Sequence, residues 1–179
     1  MTEPLDLKAH IRTIPDFPKP GILFRDVTTL FQHGGAFAAA VDRMAAFAKA
    51  QGAEVIAGFD ARGFILGGAV ARSLQVGFVP LRKKGKLPHA VIGEAYTLEY
   101  GEETLEAHAD SFSAGQRVLL VDDLIATGGT ALAGISLARR LEAEVVGFAA
   151  VIDLPDLGGA DRIRAAGVTV AALIAFEGH

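Results

Sequence analysis

Two adjacent carboxylates and a glycine-rich loop lie close together in the stretch 118–131, VLLVDDLIATGGTA. Asp122 and Asp123 follow four apolar residues, a pattern typical of a strand that is buried on both faces. A helix start offers backbone N–H groups to phosphate, and glycine permits positive φ and leaves no Cβ to obstruct a ligand. The stretch therefore predicts a site for one phosphate monoester with a carboxylate pair at its mouth. The predicted phosphate loop consists of Ala126, Thr127, Gly128, Gly129 and Thr130.

Other phosphate-binding motifs do not explain this stretch. The chain contains no G-x-x-x-x-G-K-[ST] sequence, and no G-x-G-x-x-G follows a predicted strand. The alternative is a loop in which the two acids only solvate a strand end and the glycines only turn the chain. The combination of a strand, two acids and a Thr-Gly-Gly-Thr helix entry favours a binding site over that alternative.

Charged residues also follow two other predicted strands. Asp60 and Arg62 come after the apolar run 55–59, and a cluster of cations at 82–86 comes after the run 78–81. Carboxyl ends of parallel strands meet at one edge of a sheet, so these charges should lie near the carboxylate pair. Arginine can neutralise phosphate oxygens there. A local salt bridge and a solvated basic face are the alternatives.

The elements that must position these residues alternate between strand and helix. This order predicts an α/β fold, with a mostly parallel sheet of about five strands flanked by helices. The stretch 96–108 alternates outside the helical period and predicts a projecting hairpin, with its turn at 100–103, that can act as a lid. Residues 5–13 have a helix-like pattern.

The whole chain is expected to form one domain. Its 179 residues are 51% hydrophobic, which suffices for a single core. A formal net charge of −4 argues against general nucleic-acid or membrane binding. There are no cysteines, and the five histidines lack paired metal-ligand spacing. The N-terminus lacks the pattern of a secretory signal, and a cytoplasmic location is expected.

The stretch that holds Asp122, Asp123 and the predicted phosphate loop resembles the phosphoribosyl pyrophosphate signature of the type I phosphoribosyltransferases. The resemblance implies that the acids hold the ribose hydroxyls and that the loop holds the 5-phosphate. The run 11–26 resembles the base-binding segment of the adenine-using members of that family. By that resemblance the backbone of Leu23 and Arg25 reads the purine edge, and Phe24 stacks on the ring.

The remaining charged motifs resemble other parts of the same family. Asp60, Ala61 and Arg62 match the pyrophosphate loop, in which a cis peptide after the acid is expected. Arg82, Lys83 and Lys86 match the R-K-x-G-K-L-P segment, which meets the pyrophosphate. Glu99 and Tyr100 match the lid motif Y-x-L-E-Y-G, in which the acid is the candidate proton donor to the purine. The catalytic residues implied are Glu99, Arg62 and Lys86.

The resemblance implies one phosphoribosyltransferase domain over 1–179, with a base-binding hood at 1–34 and a basic loop and lid hairpin at 82–109. The implied reaction joins adenine to phosphoribosyl pyrophosphate and releases AMP and diphosphate. Mg²⁺ would be bound mainly through the substrate, with no ion held directly by the protein. The family also implies a homodimer.

Two alternative functions remain open from the sequence. One is a phosphoribosyltransferase for another purine such as xanthine, since the donor half of the site would look alike. The other is a non-catalytic regulator that senses phosphoribosyl pyrophosphate. No basic DNA-binding module fits in the chain, and the presence of Glu99 favours an enzyme.

Overall fold

The computed structural model describes residues 5–98 and 101–178, which form a seven-stranded sheet, a two-stranded sheet and flanking helices. The strands are β1 Arg12–Pro15, β2 Leu23–Asp26, β3 Val55–Phe59, β4 Gly77–Lys83, β5 Val91–Leu98, β6 Gly101–His108, β7 Arg117–Ile125, β8 Glu144–Asp153 and β9 Val170–Ala175. The helices are α1 Thr28–Gln32, α2 Gly34–Ala50, α3 Arg62–Leu74, α4 Gly129–Arg140 and α5 Gly159–Ala165. Short 3₁₀ turns lie at Lys8–His10 and Pro155–Leu157.

The large sheet has the strand order β5-β6-β4-β3-β7-β8-β9. Strands β4, β3, β7, β8 and β9 are parallel neighbours, which confirms the predicted core of five mostly parallel strands. The predicted hairpin is β5 and β6, and it is joined to the sheet because the end of β4 pairs antiparallel with β6 at Arg82 and Lys83. Residues 101–103, which were predicted to lie in the turn, belong to β6, since this strand already begins at Gly101.

Helices cover both faces of the parallel strands. Along β7, Leu119 and Val121 lie in the core shared with α2 and α3, whereas Val118 and Leu120 lie in the core shared with α4 and α5. Successive side chains of a strand point to opposite faces, so a strand between two helix layers is apolar at every position. None of the described helices is long and apolar enough to cross a membrane.

The helix expected at residues 5–13 is wrong. Only Lys8–His10 form a 3₁₀ turn, and the chain then enters β1, which pairs antiparallel with β2. The guanidinium of Arg12 donates to the carboxylate of Asp26 at 2.8 Å, a cross-strand contact that a helix would not make. Sequence spacing alone does not reveal this partner because it lies in the next strand.

Two helical glycines predict opposite effects of an added methyl group. A Cβ on Gly134 of α4 would lie 2.5 Å from Cζ of Phe59, whereas a Cβ on Gly68 of α3 would meet nothing within 4 Å. Gly134→Ala should lower the free energy of unfolding by about 1–3 kcal/mol, because the core beneath it cannot yield without strain.

The control, Gly68→Ala, should raise the free energy of unfolding by about 0.4–1 kcal/mol, because alanine restricts the unfolded chain without adding a clash. Urea denaturation of the two variants beside the parent chain measures both values. Equal shifts of the two midpoints would contradict the packing of α4 on β3.

Candidate active site

A pocket of about 240 Å³ lies at the carboxyl end of the parallel strands. It is bounded by β3, the start of α3, β4, the hairpin and β7. The side chains around it include paired acids and bases. Its lining residues are Phe59, Asp60, Ala61, Arg62, Lys83, Tyr96, Leu98, Glu103, Leu105, Asp122, Asp123 and Thr130. The sequence predicted that Asp60, Ala61, Arg62, Lys83, Asp122, Asp123 and Thr130 would be brought together, and the structure places them there.

The two adjacent acids lie inside β7 and not at its end as predicted. β7 continues to Ile125, but its pairing with β3 ends at Val121, so the next residues reach the pocket beyond the end of that neighbour. Asp123 is 5% exposed, and its Oδ2 accepts a hydrogen bond from Nε of Arg62 at 2.5 Å. Asp123 on β7 is thus neutralised by Arg62, the first residue of α3, which follows β3.

Asp122 has no such direct partner among the arginines. Its Oδ1 accepts a hydrogen bond from the backbone N–H of Asp123 at 2.8 Å. Desolvation, together with the neighbouring charge of Asp123, raises the pKa of Asp122 well above its ordinary value. Helix α3 can approach this strand closely because Gly63 has no Cβ. An added Cβ would lie only 2.8 Å from the carbonyl oxygen of Val121.

A second acid–base pair crosses from β3 to β4. Nε of Arg82 donates to Oδ2 of Asp60 at 2.8 Å, and Nη1 of Arg82 donates to the carbonyl of Lys86. The peptide between Asp60 and Ala61 is cis, which confirms the expectation drawn from the family resemblance. The side chain of Lys86 is exposed and does not line the pocket, so this predicted site residue is not brought together with the others.

Tyr96 and Glu103 complete a polar network that sequence reasoning missed. Nζ of Lys83 donates to Oε1 of Glu103 at 2.9 Å, and the Tyr96 hydroxyl donates to Oε2 at 3.1 Å. The hydrogen bond from Lys83 lowers the pKa of Glu103. Tyr96 and Glu103 are direct partners in the hairpin. Correct hairpin register would have revealed this pair, but the predicted turn placed Glu103 outside the strand.

The phosphate loop borders a second cavity of about 170 Å³, lined in part by residues 126–130 and adjacent to the first through Leu98, Asp122 and Thr130. Gly128 directly precedes α4 and has φ +85, which confirms the predicted positive φ that glycine adopts without strain. The expectation that its missing Cβ also leaves room for a ligand stays a prediction. A Cβ on Gly128 would lie 3.0 Å from the carbonyl oxygen of Gly159, so the glycine is needed for backbone packing.

The predicted base-binding residues lie on β2, outside the lining of both cavities. Leu23, Phe24 and Arg25 are half-buried, and the ring of Phe24 contacts Phe17 edge-on with centroids 5.1 Å apart. The guanidinium of Arg25 lies 4.5 Å from the ring centroid of Phe176 and donates to the carbonyl of Gly178. Its side chain is thus engaged by the C-terminal segment that contains Phe176 and Gly178.

The remaining two predicted residues, Glu99 and Tyr100, lie outside the described residues. The described strands on either side of them, β5 and β6, pair throughout, from Val91 with His108 to Leu98 with Gly101.

Comparison with known proteins places this geometry in context. The chain matches the family described as phosphoribosyl transferase domain over residues 27–172. It is 57% identical over 179 residues, all of both chains, to the adenine phosphoribosyltransferase of a Bradyrhizobium species (strain BTAi1). It is 59% identical over 174 residues to that of Maricaulis maris, covering 97% of this chain and 99% of the relative.

Solved structures agree with these relatives. Adenine phosphoribosyltransferase from Rhodothermus marinus superposes with a TM-score of 0.89 at 46% identity, covering 95% of this chain and 96% of the other. The Saccharomyces cerevisiae enzyme, complexed with an imino-altritol bisphosphate and adenine, gives 0.88 at 36% identity over 94% and 96%. The Trypanosoma brucei enzyme, in complex with AMP, pyrophosphate and ribose-5-phosphate, gives 0.86 at 30% identity over 94% and 78%.

The raised pKa of Asp122 predicts that Asp122→Asn stabilises the fold. The native chain loses stability as pH rises from the ordinary aspartate pKa through the raised one, because the unfolded chain ionises first. Asparagine removes that cost and its side-chain oxygen can still accept from the Asp123 N–H. The melting temperature at neutral pH should rise by about 2–4 °C, equivalent to roughly 1 kcal/mol.

Thermal melts from pH 4 to pH 8 measure the effect. The difference between Asp122→Asn and the parent should widen with rising pH and shrink towards pH 4. A difference that is constant with pH would show that ionisation of Asp122 does not cause it.

Proposed function

The chain belongs to the phosphoribosyl transferase family, and we infer from this membership that it is an adenine phosphoribosyltransferase. It transfers the 5-phosphoribosyl group from 5-phospho-α-D-ribose 1-diphosphate to adenine and forms AMP and diphosphate. The observation that carries this conclusion is the full-length identity of 57% to an enzyme of that name. The pocket of paired acids and bases beside the phosphate loop supplies the chemistry the reaction needs.

The donor's phosphate groups are proposed to bind at two places. The 5-phosphate binds the loop 126–130, where the N-terminus of α4 provides a positive end of the helix dipole. The diphosphate meets Arg62, Arg82 and Lys83, and Ala61 offers its backbone beside them. Support comes from Arg62 and Lys83, which line the pocket, and from Arg82, which is held at its edge by Asp60. Cations placed before the reaction stabilise the departing diphosphate without reorganisation.

The ribose is proposed to lie against Asp122 and Asp123. Carboxylates accept hydrogen bonds from the ribose hydroxyls and favour positive charge at the anomeric carbon as the diphosphate departs. Arg62 neutralises Asp123. When the donor binds, the diphosphate can take over the guanidinium while the ribose hydroxyls take over the carboxylate. The guanidinium thus keeps an anionic partner, whereas the carboxylate exchanges a cation for neutral hydrogen-bond donors.

Mg²⁺ is proposed to arrive on the donor. Among the described residues no group of three or more acids or histidines could hold a metal ion. Asp60 and Asp123 are each paired with an arginine, so their carboxylates are already engaged. We therefore expect the oxygen ligands of the ion to come mainly from the donor. Mg²⁺ binds readily through phosphates and keeps waters, and it would neutralise charge on the leaving diphosphate.

We further propose that the enzyme acts in the cytoplasm as a homodimer. The family resemblance supports the homodimer, and an N-terminus without the pattern of a secretory signal supports the location. Sedimentation equilibrium of the purified protein tests it, and a monomer mass at catalytic concentrations would contradict the dimer.

Adenine should be preferred over 6-oxopurines. The backbone of Leu23 and Arg25, with Phe24 stacking on the ring, is proposed to recognise the purine, and the exocyclic amine of adenine donates where an oxo group accepts. A mismatched purine leaves buried polar groups unpaired, which supports selectivity of about 10³-fold or more in kcat/KM. Diphosphate release with adenine, hypoxanthine, guanine and xanthine measures this ratio. Equal efficiency with xanthine would favour the enzyme for another purine, and no release with any base would favour a regulator.

Glu99 is proposed to donate a proton to the purine, with Tyr100 closing the lid beside it. General acid catalysis contributes about 10²–10⁴-fold, so Glu99→Gln should lower kcat by a factor in that range while the Kd of the donor changes little. The matched control is Glu102→Gln, an exposed acid near the start of β6, which should leave kcat unchanged. Single-turnover rates and donor titration separate the two quantities, and equal kcat in both variants would remove Glu99 from this role.

A further inference from the structure

The segment 158–162 lies directly behind the phosphate loop and holds two of its carbonyl groups. The backbone N–H of Gly159 donates to the carbonyl of Ala126 at 3.1 Å. One helical turn later, Nη1 of Arg162 donates to the carbonyl of Thr127 at 2.7 Å. Two consecutive peptide groups of the loop are therefore fixed from the same side.

Fixing these carbonyls also fixes the direction of the N–H groups. In a planar trans peptide the C=O and N–H bonds point in opposite directions. The N–H groups of Thr127 and Gly128 therefore point away from the atoms that hold the carbonyls of Ala126 and Thr127. Neither N–H donates to another group in the described part of the chain. They are oriented donors for an anion in the loop.

Two glycines let this segment approach the loop closely. A Cβ on Gly159 would collide with the carbonyl oxygen of Ala126 and would lie 2.8 Å from the backbone nitrogen of Gly128. A Cβ on Gly128 would in turn lie 3.1 Å from Cα of Gly159. The contact is made by backbone against backbone, and Arg162 is the one long side chain in 158–162 that bonds to the loop.

We propose that Arg162 is a positioning residue for the 5-phosphate of the donor and of AMP. It keeps the Thr127 carbonyl turned away, so that the loop presents N–H groups, and not a carbonyl oxygen, to the phosphate. The inference rests on the proposed function of the loop. It assigns Arg162 no contact with the substrate, since its guanidinium acts through the Thr127 carbonyl.

The side chain of Arg162 can be tested separately from the fold. Arg162 is exposed, whereas the buried contacts of α5 are made by Ala160 and Ile163, at 4% and 0% exposure. Arg164 provides a matched control on the same helix. It is also exposed, and Nη1 of its guanidinium donates to the carboxylate of Asp161 at 2.9 Å and not to the loop.

The experiment compares Arg162→Ala, Arg162→Lys and Arg164→Ala by calorimetric titration with AMP and with adenosine, which lacks the phosphate. Arg162→Ala should weaken AMP about 10-fold or more, in line with a lost hydrogen bond from a charged group, and leave adenosine affinity unchanged. KM for the donor should rise while kcat at saturating donor stays within about 2-fold, the split expected for lost ground-state binding. Arg162→Lys should recover part of the AMP affinity, and Arg164→Ala should match the parent.

Three results would overturn the inference. The first is equal AMP affinity in Arg162→Ala and Arg164→Ala. The second is parallel weakening of AMP and adenosine with a lowered melting temperature, which would indicate a structural role. The third is a parent enzyme that makes no AMP from adenine and the donor. The third would overturn the proposed function as well, whereas the first two, found with an active parent enzyme, would overturn only the role of Arg162.

Discussion

Two carboxylates side by side within the buried strand β7 are the constraint on which the rest of the site depends. Asp122 and Asp123 repel each other where little water can screen them, and burying a charge without a partner is costly. Arg62 offsets one of the two charges, and it can do so only because α3 starts directly after β3 and approaches β7 closely at Gly63. The parallel pairing of β3 with β7 thus brings together an acid and a base 61 residues apart.

The paired charges explain how the pocket can hold acids and bases side by side. Each cation in it has an anionic partner, which offsets part of the cost of removing these charges from water. Asp60 with Arg82 and Asp123 with Arg62 are two such pairs, and Lys83 with Glu103 is a third that involves the hairpin. A diphosphate at Lys83, as proposed, would compete with Glu103 for a contact that ties the hairpin to β4. On that proposal, donor binding would bear on the position of the hairpin.

The parts of the structure that local chemistry dictates could be predicted from the sequence. The apolar run 118–121 predicted a buried strand, and the glycines before α4 predicted a positive φ; the structure has both. What could not be predicted depends on partners distant in the chain. The first two residues of β1, Arg12 and Thr13, fall in a stretch with a helix-like pattern, and their place in a strand is evident only once Asp26 of β2 is known to face Arg12. Glu103 was missed because the hairpin register, which places it opposite Tyr96, is set by pairing across the turn.

Hydrogen bonds made by residues 155–178 connect the phosphate loop with β2. Behind the phosphate loop, Gly159 and Arg162 hold the loop carbonyls. Four residues before Gly159, the 3₁₀ turn Pro155–Leu157 begins, and Asp156 within it accepts a hydrogen bond from the N–H of Gly178. The carbonyl of Gly178 then accepts from Arg25 on β2, the strand proposed to bind the base. AMP carries its base and its phosphate at opposite ends of a ribose. On that proposal, a connection that fixes the phosphate loop and β2 relative to each other would limit misalignment at the anomeric carbon, where small displacements slow the reaction most.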